Sequence, residues 1–392
     1  MIELPPAPAR GFPRHEFTDR FERAQAYLAE SGLDALLVTL PEQIRYFTGF
    51  HTELWTSPTR PWYVIVPAHG DKPIAVIPEA GASGMARTWV DDIRSWPAPR
   101  PDDDGVTLLS DALRSVAGVT GRVGAELGRE LHLRMPFIEL QRMQISAGVE
   151  LADGTAVIRR CRHVKSELEI EKIRFACVVA SAAFEAIPAL YSIGDTEHSL
   201  VQKYRVDVIE RGADNSPFLV ASSGPAGYGT ITMGPTDRVL RHGDVLIIDT
   251  GTTYDGYFCD FDRNWSFGPA NDELRRAHEA VWLATEAGLA AARPGVTCAE
   301  VWQAMDKVLH AAGSLGNNAG RIGHGLGLQL TEPPSLVAGD DTVLEVGSVM
   351  TIEPGMEYSQ GKMMIHEEDI VVREDRAELL TVRAPREISV IA

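Results

Sequence analysis

The stretch Val239-Leu-Arg-His-Gly-Asp-Val-Leu-Ile-Ile-Asp249-Thr-Gly251 decides the fold, because its pattern returns 104 residues later as Val343-Leu-Glu-Val-Gly-Ser-Val-Met-Thr-Ile-Glu353-Pro-Gly355. Each copy is a turn glycine, an apolar strand, an acid, and a glycine two residues on. A repeated unit of this kind implies two pseudo-equivalent halves. It puts Asp249 and Glu353 at related positions, which suits a site between the halves. An acid that closes an apolar strand must be paired, hydrogen-bonded or metal-bound, since an unpaired buried carboxylate costs on the order of several kcal/mol or takes up a proton.

Working outward, the chain after Asp249 reaches Asp255-Gly256, a strong hairpin signal, and returns through Asp260-Phe-Asp262-Arg263. The two-residue period of a strand puts Asp260 and Asp262 on one face. After Glu353 a second turn, Gly355-Met-Glu-Tyr-Ser-Gln-Gly361, leads into Lys362-Met-Met-Ile-His-Glu367-Glu368-Asp369-Ile-Val-Val372. Adjacent residues face opposite ways, so periodicity leaves Glu367 and Glu368 both open. Between the hairpins lies Gly323-His324-Gly325-Leu-Gly327, where small residues allow close approach of backbone to a ligand. Four carboxylates and one imidazole form a hard, oxygen-rich set that suits Mn²⁺, Co²⁺, Fe²⁺ or Zn²⁺ in pairs. Taken singly these features are weak: a glycine-flanked histidine is more often a turn or core residue, and a strand-end acid is often solvated. Their coincidence between residues 249 and 368 carries the reading.

At 392 residues the chain exceeds what one hydrophobic core usually serves, so two domains are expected. A formal charge of −18 argues against nucleic acid and anionic membranes as partners. No run of 18 or more apolar residues stands out and the start lacks a basic segment followed by an apolar one, so a cytoplasmic location is expected. Cys161, Cys177, Cys259 and Cys298 form no C-x-x-C pair and read as free thiols. Helical spacing over 18–32, a buried strand over 33–40 and two β-branched runs at 63–67 and 73–78 predict an α/β unit. The boundary falls near 152–162, giving domains of 1–155 and 156–392. The second domain reads as α+β: helices at 166–191, 197–212, 272–293 and 297–313 back an antiparallel sheet built from 217–222, 244–264, 322–330, 347–353 and 362–373.

These motifs, together with Ile44-Arg-Tyr-Phe-Thr-Gly-Phe50, Lys165-Ser-Glu-Leu-Glu-Ile-Glu-Lys-Ile-Arg174 and Gly234-Pro-Thr-Asp-Arg238, resemble the signature of the pita-bread metallopeptidases: methionine aminopeptidase, Xaa-Pro aminopeptidase, prolidase and creatinase. The resemblance covers nearly the whole chain. It implies a pita-bread catalytic domain, a curved antiparallel sheet with helices and a pseudo-twofold axis, preceded by a smaller creatinase-like α/β domain, in a homodimer. It also implies two divalent metal ions (Mn, Co, Fe or Zn) on Asp249, Asp260, His324, Glu353 and Glu368, thereby choosing Glu368 over Glu367. The implied reaction is hydrolysis of a small amide, dipeptide-like (Xaa-Pro) or amidine-like substrate by a hydroxide bridging two metals, with Glu353 shuttling a proton.

The chain departs from the family pattern at three positions. Ile231 and Thr331 stand where the peptidases usually carry histidines that bind the peptide carbonyl, a kind of donor worth about 2.7–4 kcal/mol in the transition state. These substitutions point away from an ordinary Xaa-Pro substrate. Asp262 stands where threonine is common; its plainer reading is an ion pair with Arg263 or a nearby lysine, and its functional one an added general acid or base. The loop Trp55-Thr-Ser-Pro-Thr-Arg60-Pro-Trp62 offers a guanidinium for a substrate carboxylate and two indoles for an apolar or cationic group, although tryptophans beside a strand are usually core. Competing readings are a metal-dependent lyase acting on a small osmolyte, creatinase-like hydrolysis without metal, and a non-catalytic pita-bread binding protein.

Overall fold

The computed structural model describes residues 2–317 and 320–391. These form two compact units, Arg10–Arg162 and Met1–Ala9 with His163–Ala392. The expected junction after residue 155 therefore differs from the observed one. The helix that follows 155 is tied to the first unit, where the Tyr46 hydroxyl donates to the Cys161 carbonyl at 2.6 Å and the Arg162 guanidinium donates to Gln43.

The first unit contains helices α1 (Arg14–Ser31), α2 (Pro41–Thr48), α3 (Glu79–Met85), α4 (Val106–Ala117), α5 (Phe137–Ala147) and α6 (Thr155–His163). Its strands are β1 (Ala35–Val38), β2 (Tyr63–Pro67), β3 (Ile74–Pro78), β4 (Asp92–Trp96), β5 (Arg122–Ala125) and β6 (Glu150–Asp153), in sheet order β4-β3-β2-β1-β5-β6. Strand β2 runs antiparallel to β1 and β3, so the β-branched runs at 63–67 and 74–78 pair directly, with Tyr63 opposite Val76. The other neighbours are parallel. Parallel β1 and β5 end side by side, and there the Glu126 carboxylate accepts from the Thr39 amide at 2.9 Å and the Thr39 hydroxyl at 2.5 Å. Burial pushes Glu126 up to about 7 despite these bonds.

The second unit has helices α7 (Glu167–Leu190), α8 (Glu197–Glu210), α9 (Asp272–Ala291) and α10 (Cys298–Ala311), each within two residues of its predicted bounds. Helix α7 starts at a capping box in which Ser166 and Glu169 satisfy each other's backbone amides. It also corrects the reading that no segment has membrane-spanning apolarity: an 18-residue window reaches a mean hydropathy of 1.6. Ile170, Ile173, Ala176, Val179, Ala183 and Ile187 on this helix are buried within the unit. A helix apolar on most of its circumference is buried somewhere, and here the protein core buries it.

The antiparallel strands expected here fall into two five-stranded sheets. The first is built from β7 (Asn215–Pro225), β8 (Asp244–Tyr254), β9 (Tyr257–Phe258), β10 (Phe261–Phe267) and, far away in sequence, β18 (Ser389–Ile391). The second contains β11 (His324–Gly325), β12 (Glu332–Ser335), β13 (Val349–Ile352), β16 (Glu368–Val372) and β17 (Ala377–Leu379), with β14 (Gly355–Ser359) and β15 (Lys362–Ile365) as a separate hairpin. The strand expected over 322–330 shrinks to two residues because its glycines serve close approach. Gly323 has φ 139°, and a Cβ there would lie 2.3 Å from the Thr351 carbonyl oxygen.

The internal repeat has a structural counterpart. Thr196 and Thr297 cap α8 and α10 with the same side-chain geometry, and each bridges to the first residue of one repeat copy, Val239 or Val343. Asp249 then sits in the middle of β8, and Glu353 directly follows β13.

Candidate metal centre

The Asp255-Gly256 turn forms as the sequence requires, with φ of 47° and 77°, and Asp255 is anchored by Lys172 at 2.7 Å. Strand β10 therefore returns beside β8 in a fixed register that sets Asp262 directly opposite Asp249. Like charges facing across a strand pair repel. Both carboxylates are nevertheless buried, and each keeps one oxygen, Asp249 Oδ1 and Asp262 Oδ2, without a hydrogen-bond partner among the described residues. Glu367 Oε1 is a third such oxygen.

Histidine 324 faces this group. Its Nε2 lies 3.4 Å from Asp260 Oδ2, and ligand atoms of Asp260, His324 and Glu367 all lie within 4.8 Å of one another. The Nδ1 contacts the Gly325 carbonyl at 2.9 Å, which fits a proton on Nδ1 and a lone pair on Nε2. Burial, helped by the Arg321 charge, pushes the imidazole down to about 4, so it stays neutral. The carboxylates move the other way. Burial pushes Asp249 up to about 7, and burial together with the Asp249 charge pushes Glu353 up to about 8, opposed by Arg321. Burial, then the charges of Asp249, Asp369 and Glu353, holds Asp260 well above the carboxylate range. Glu367 is raised by burial and by Glu353, Asp260 and Asp249. Asp249, Asp260, His324, Glu353 and Glu367 thus form one electrostatic cluster.

Glu368, chosen from the resemblance, is elsewhere. It is fully buried and its oxygens accept from Arg263 at 2.8 Å, Arg383 at 3.1 Å, the Ala384 amide at 2.9 Å and the Thr381 hydroxyl. A carboxylate with four donors, two of them guanidinium groups, is already satisfied. Glu367 faces the opposite way, lacks those donors, and has a ligand atom grouped with those of Asp260 and His324. The same arrangement corrects the expected ion pair of Asp262 with Arg263: Arg263 is committed to Glu368 and to backbone carbonyls, including that of Asp262 at 2.6 Å. The Asp262 carboxylate instead accepts from Asn264 at 3.2 Å, and Tyr228 donates to Asn264 at 2.9 Å.

Ile231 packs on the hydrophobic core beside α9 and α10, while exposed Thr331 accepts from Arg321 at 3.3 Å. In the first unit, Trp62 is buried against Phe50, Trp55 sits in a single 3₁₀ turn (Glu53–Thr56) with its ring edge-on to Phe50, and Arg60 is partly exposed between them. Arg321, Asn264 and Tyr228 escaped the sequence reading. Asn264 was reachable by extending the two-residue period from Asp260 and Asp262; Tyr228 and Arg321 carry no local signal.

The donor set fits a divalent cation: hard oxygens, one neutral imidazole, and buried carboxylate oxygens that no described residue satisfies. One consequence is measurable without substrate. In metal-free protein Asp249 and Glu353 hold protons up to about 7 and 8, whereas in the unfolded chain they release them near about 4. The folded state then binds more protons than the unfolded one between these limits. Its stability is full below about pH 4 and is lost as pH rises through 7 to 8. Chelated protein should unfold at lower denaturant as pH is raised from about 5 to about 8, and Mn²⁺ should reverse the loss; a rise in stability over that interval without metal would contradict the clustering.

A pseudo-twofold unit with paired sheets, a buried carboxylate and imidazole cluster and a smaller α/β unit before it defines a pita-bread metallohydrolase. The sequence matches the metallopeptidase family M24 over residues 171–374 and the creatinase/prolidase N-terminal domain over 20–164, and the chain belongs to that metallopeptidase family. It is similar to a probable dipeptidase PepE of Mycobacterium bovis, 29% identical over 98% of this chain and 99% of the relative. It is also similar to an Xaa-Pro dipeptidase of Lactobacillus delbrueckii subsp. lactis, 26% identical over 89% and 92%. Among solved structures, dipeptidase PepE from Mycobacterium ulcerans superposes with a TM-score of 0.85 at 29% identity, covering 97% of this chain and 99% of that one. The protein is accordingly an enzyme of the metal-dependent hydrolase class.

Proposed function

We propose that this enzyme hydrolyses dipeptides, Xaa-Pro among them, at a two-metal centre held by Asp249, Asp260, His324, Glu353 and Glu367. The observation that supports this most directly is the cluster of Asp260, His324 and Glu367 ligand atoms within 4.8 Å, beside the orphaned oxygens of Asp249 and Glu367. The relatives named dipeptidase and Xaa-Pro dipeptidase supply the substrate class. A divalent ion such as Mn, Co, Fe or Zn, when bound, supplies a Lewis acid for the scissile carbonyl and acidifies water.

The chain's own residues do the rest. Glu353, partly exposed and raised by burial and by the Asp249 charge, is suited to accept a proton from water and return it to the leaving amine. The Nδ1 contact with Gly325 holds the His324 ring in orientation. Asp262, backed by Asn264 and Tyr228, adds a carboxylate to the same face and limits how Asp249 can turn. Asp262→Asn should lower kcat by roughly tenfold with KM little changed if that carboxylate tunes the centre, and unchanged turnover would reduce it to packing. A homodimer in the cytoplasm completes the proposal.

The test is metal analysis of purified protein combined with a screen of Xaa-Pro and other dipeptides. Chelation should abolish cleavage and one of the divalent ions should restore it. Full activity in metal-free protein would overturn the mechanism, and turnover confined to non-prolyl dipeptides would remove Xaa-Pro as a substrate.

A further inference from the structure

The hairpin of β14 and β15 belongs to neither five-stranded sheet, and among the described residues β15 pairs with β14 alone, apart from one isolated bridge between Tyr228 and Met363. No strand ladder therefore fixes β15 against β10. Yet β15 ends at Ile365, two residues before Glu367, and Glu367 itself lies outside any strand because the second sheet resumes at Glu368. Where Glu367 stands relative to Asp260 on the neighbouring chain segment is thus left to side chains. One tie is the Arg263 bond to the Glu367 carbonyl at 2.9 Å, from a guanidinium that also serves Glu368 and the carbonyls of Asp262 and Val382. The other tie is made on the opposite face of β10.

It is a closed ring of hydrogen bonds. The Tyr228 hydroxyl donates to Asn264 Oδ1 at 2.9 Å, Asn264 Nδ2 donates to the Ile365 carbonyl at 2.7 Å, and the Ile365 amide donates back to the Tyr228 hydroxyl at 3.0 Å. The second Nδ2 hydrogen goes to Asp262 Oδ1 at 3.2 Å. The Asn264 amide has a single workable orientation, since turned over its oxygen would face two acceptors, the Ile365 carbonyl and the Asp262 carboxylate. The Met363 amide adds a bond to the Tyr228 carbonyl at 2.8 Å. Both backbone groups of Ile365 are thereby held from β10 and Tyr228 together.

The ring is set in apolar surroundings, the core cluster that contains Tyr228, Ile247, Met363, Met364 and Ile365, and Asn264 is itself buried. A polar network that is fully satisfied in such a place specifies one arrangement of the elements it joins, which apolar packing alone does less sharply. The two-residue period puts Asn264 on the same face of β10 as Asp260 and Asp262. We infer that Asn264 and Tyr228 are positioning residues of the metal centre, setting where Glu367 stands relative to Asp249 and Asp260. The inference rests on the membership of Glu367 in the metal-binding cluster proposed above. It gives the ring a consequence that a purely structural tie lacks: opening it weakens metal binding by molecules that are still folded.

The test is calorimetric titration of the full-length chelator-treated protein with Mn²⁺, well below the melting temperature of each variant. Asn264→Ala should weaken Mn²⁺ binding by roughly tenfold or more, the range for outer partners of metal ligands. The conservative Tyr228→Phe, which removes only the hydroxyl, should weaken it by about threefold or more. Because either change opens the same ring, the double variant should bind no more weakly than Asn264→Ala alone. Tyr191→Phe is the control: it deletes another buried hydroxyl of the same unit, one that donates to the Leu200 carbonyl at 2.7 Å, and should lower melting while leaving Mn²⁺ affinity as it was. Wild-type affinity in both ring variants, additive losses in the double variant, or an equal loss in Tyr191→Phe would overturn the inference alone. A wild-type protein that binds no Mn²⁺ would overturn the metal centre and the inference with it.

Discussion

Glu368→Gln should lower folding stability by about 3–5 kcal/mol, the usual cost of removing one partner from a buried ion pair, while folded molecules keep their divalent metal. The wild-type carboxylate is fully buried and draws together Arg263 and, from a second segment, Thr381, Arg383 and the Ala384 amide. Glutamine retains the shape but leaves two guanidinium groups facing a neutral amide. Arg263 is nearly buried and Arg383 mostly so, which denies them full rehydration. Urea unfolding in excess Mn²⁺, paired with metal analysis of the folded fraction, gives both readouts. Metal loss with stability unchanged would put Glu368 back among the ligands.

The glutamate pair also marks where the sequence stopped being readable. Asp249, Asp260, His324 and Glu353 could be singled out because each has a local signal, namely an apolar run before an acid, the return of an Asp-Gly hairpin, or a glycine-flanked approach, although Asp249 proves to lie in mid-strand and not at a strand end. Strand parity said that Glu367 and Glu368 face opposite ways, which is so, but could not say which face holds the metal. That depends on where Arg263 and Arg383 arrive, 105 residues before Glu368 and 15 after it. Resemblance by motif chose Glu368, whose carboxylate is taken up by Arg263 and Arg383, while Glu367 is the one grouped with Asp260 and His324. The Asp262–Arg263 reading failed for a related reason: adjacent residues on a strand point apart, and Arg263 follows its own face to Glu368. The helices were legible from their caps and periodicity. The division into two sheets was not, because β18 joins β10 from the far end of the chain.

Glu367→Gln should do the reverse of Glu368→Gln. Its carboxylate lies with Asp260 and His324, has a buried oxygen without a partner, and is raised by burial and by the charges of Glu353, Asp260 and Asp249. In metal-free protein this side chain is therefore a source of repulsion, and removing its charge should leave stability unchanged or raise it. With metal present the sign inverts, since the same charge holds the cation. Even outer partners of metal ligands cost about 10–100-fold in affinity or activity when removed, so loss of a direct ligand should weaken metal binding by more than about 100-fold and reduce kcat/KM at least as far. The decisive measurement is the stabilisation conferred by saturating Mn²⁺, which follows the logarithm of ligand concentration over its dissociation constant. Wild type and Glu368→Gln should both gain from added Mn²⁺, and Glu367→Gln should gain little. An equal gain in all three would mean that neither glutamate holds the ion, and that the centre rests on Asp249, Asp260, His324 and Glu353 alone.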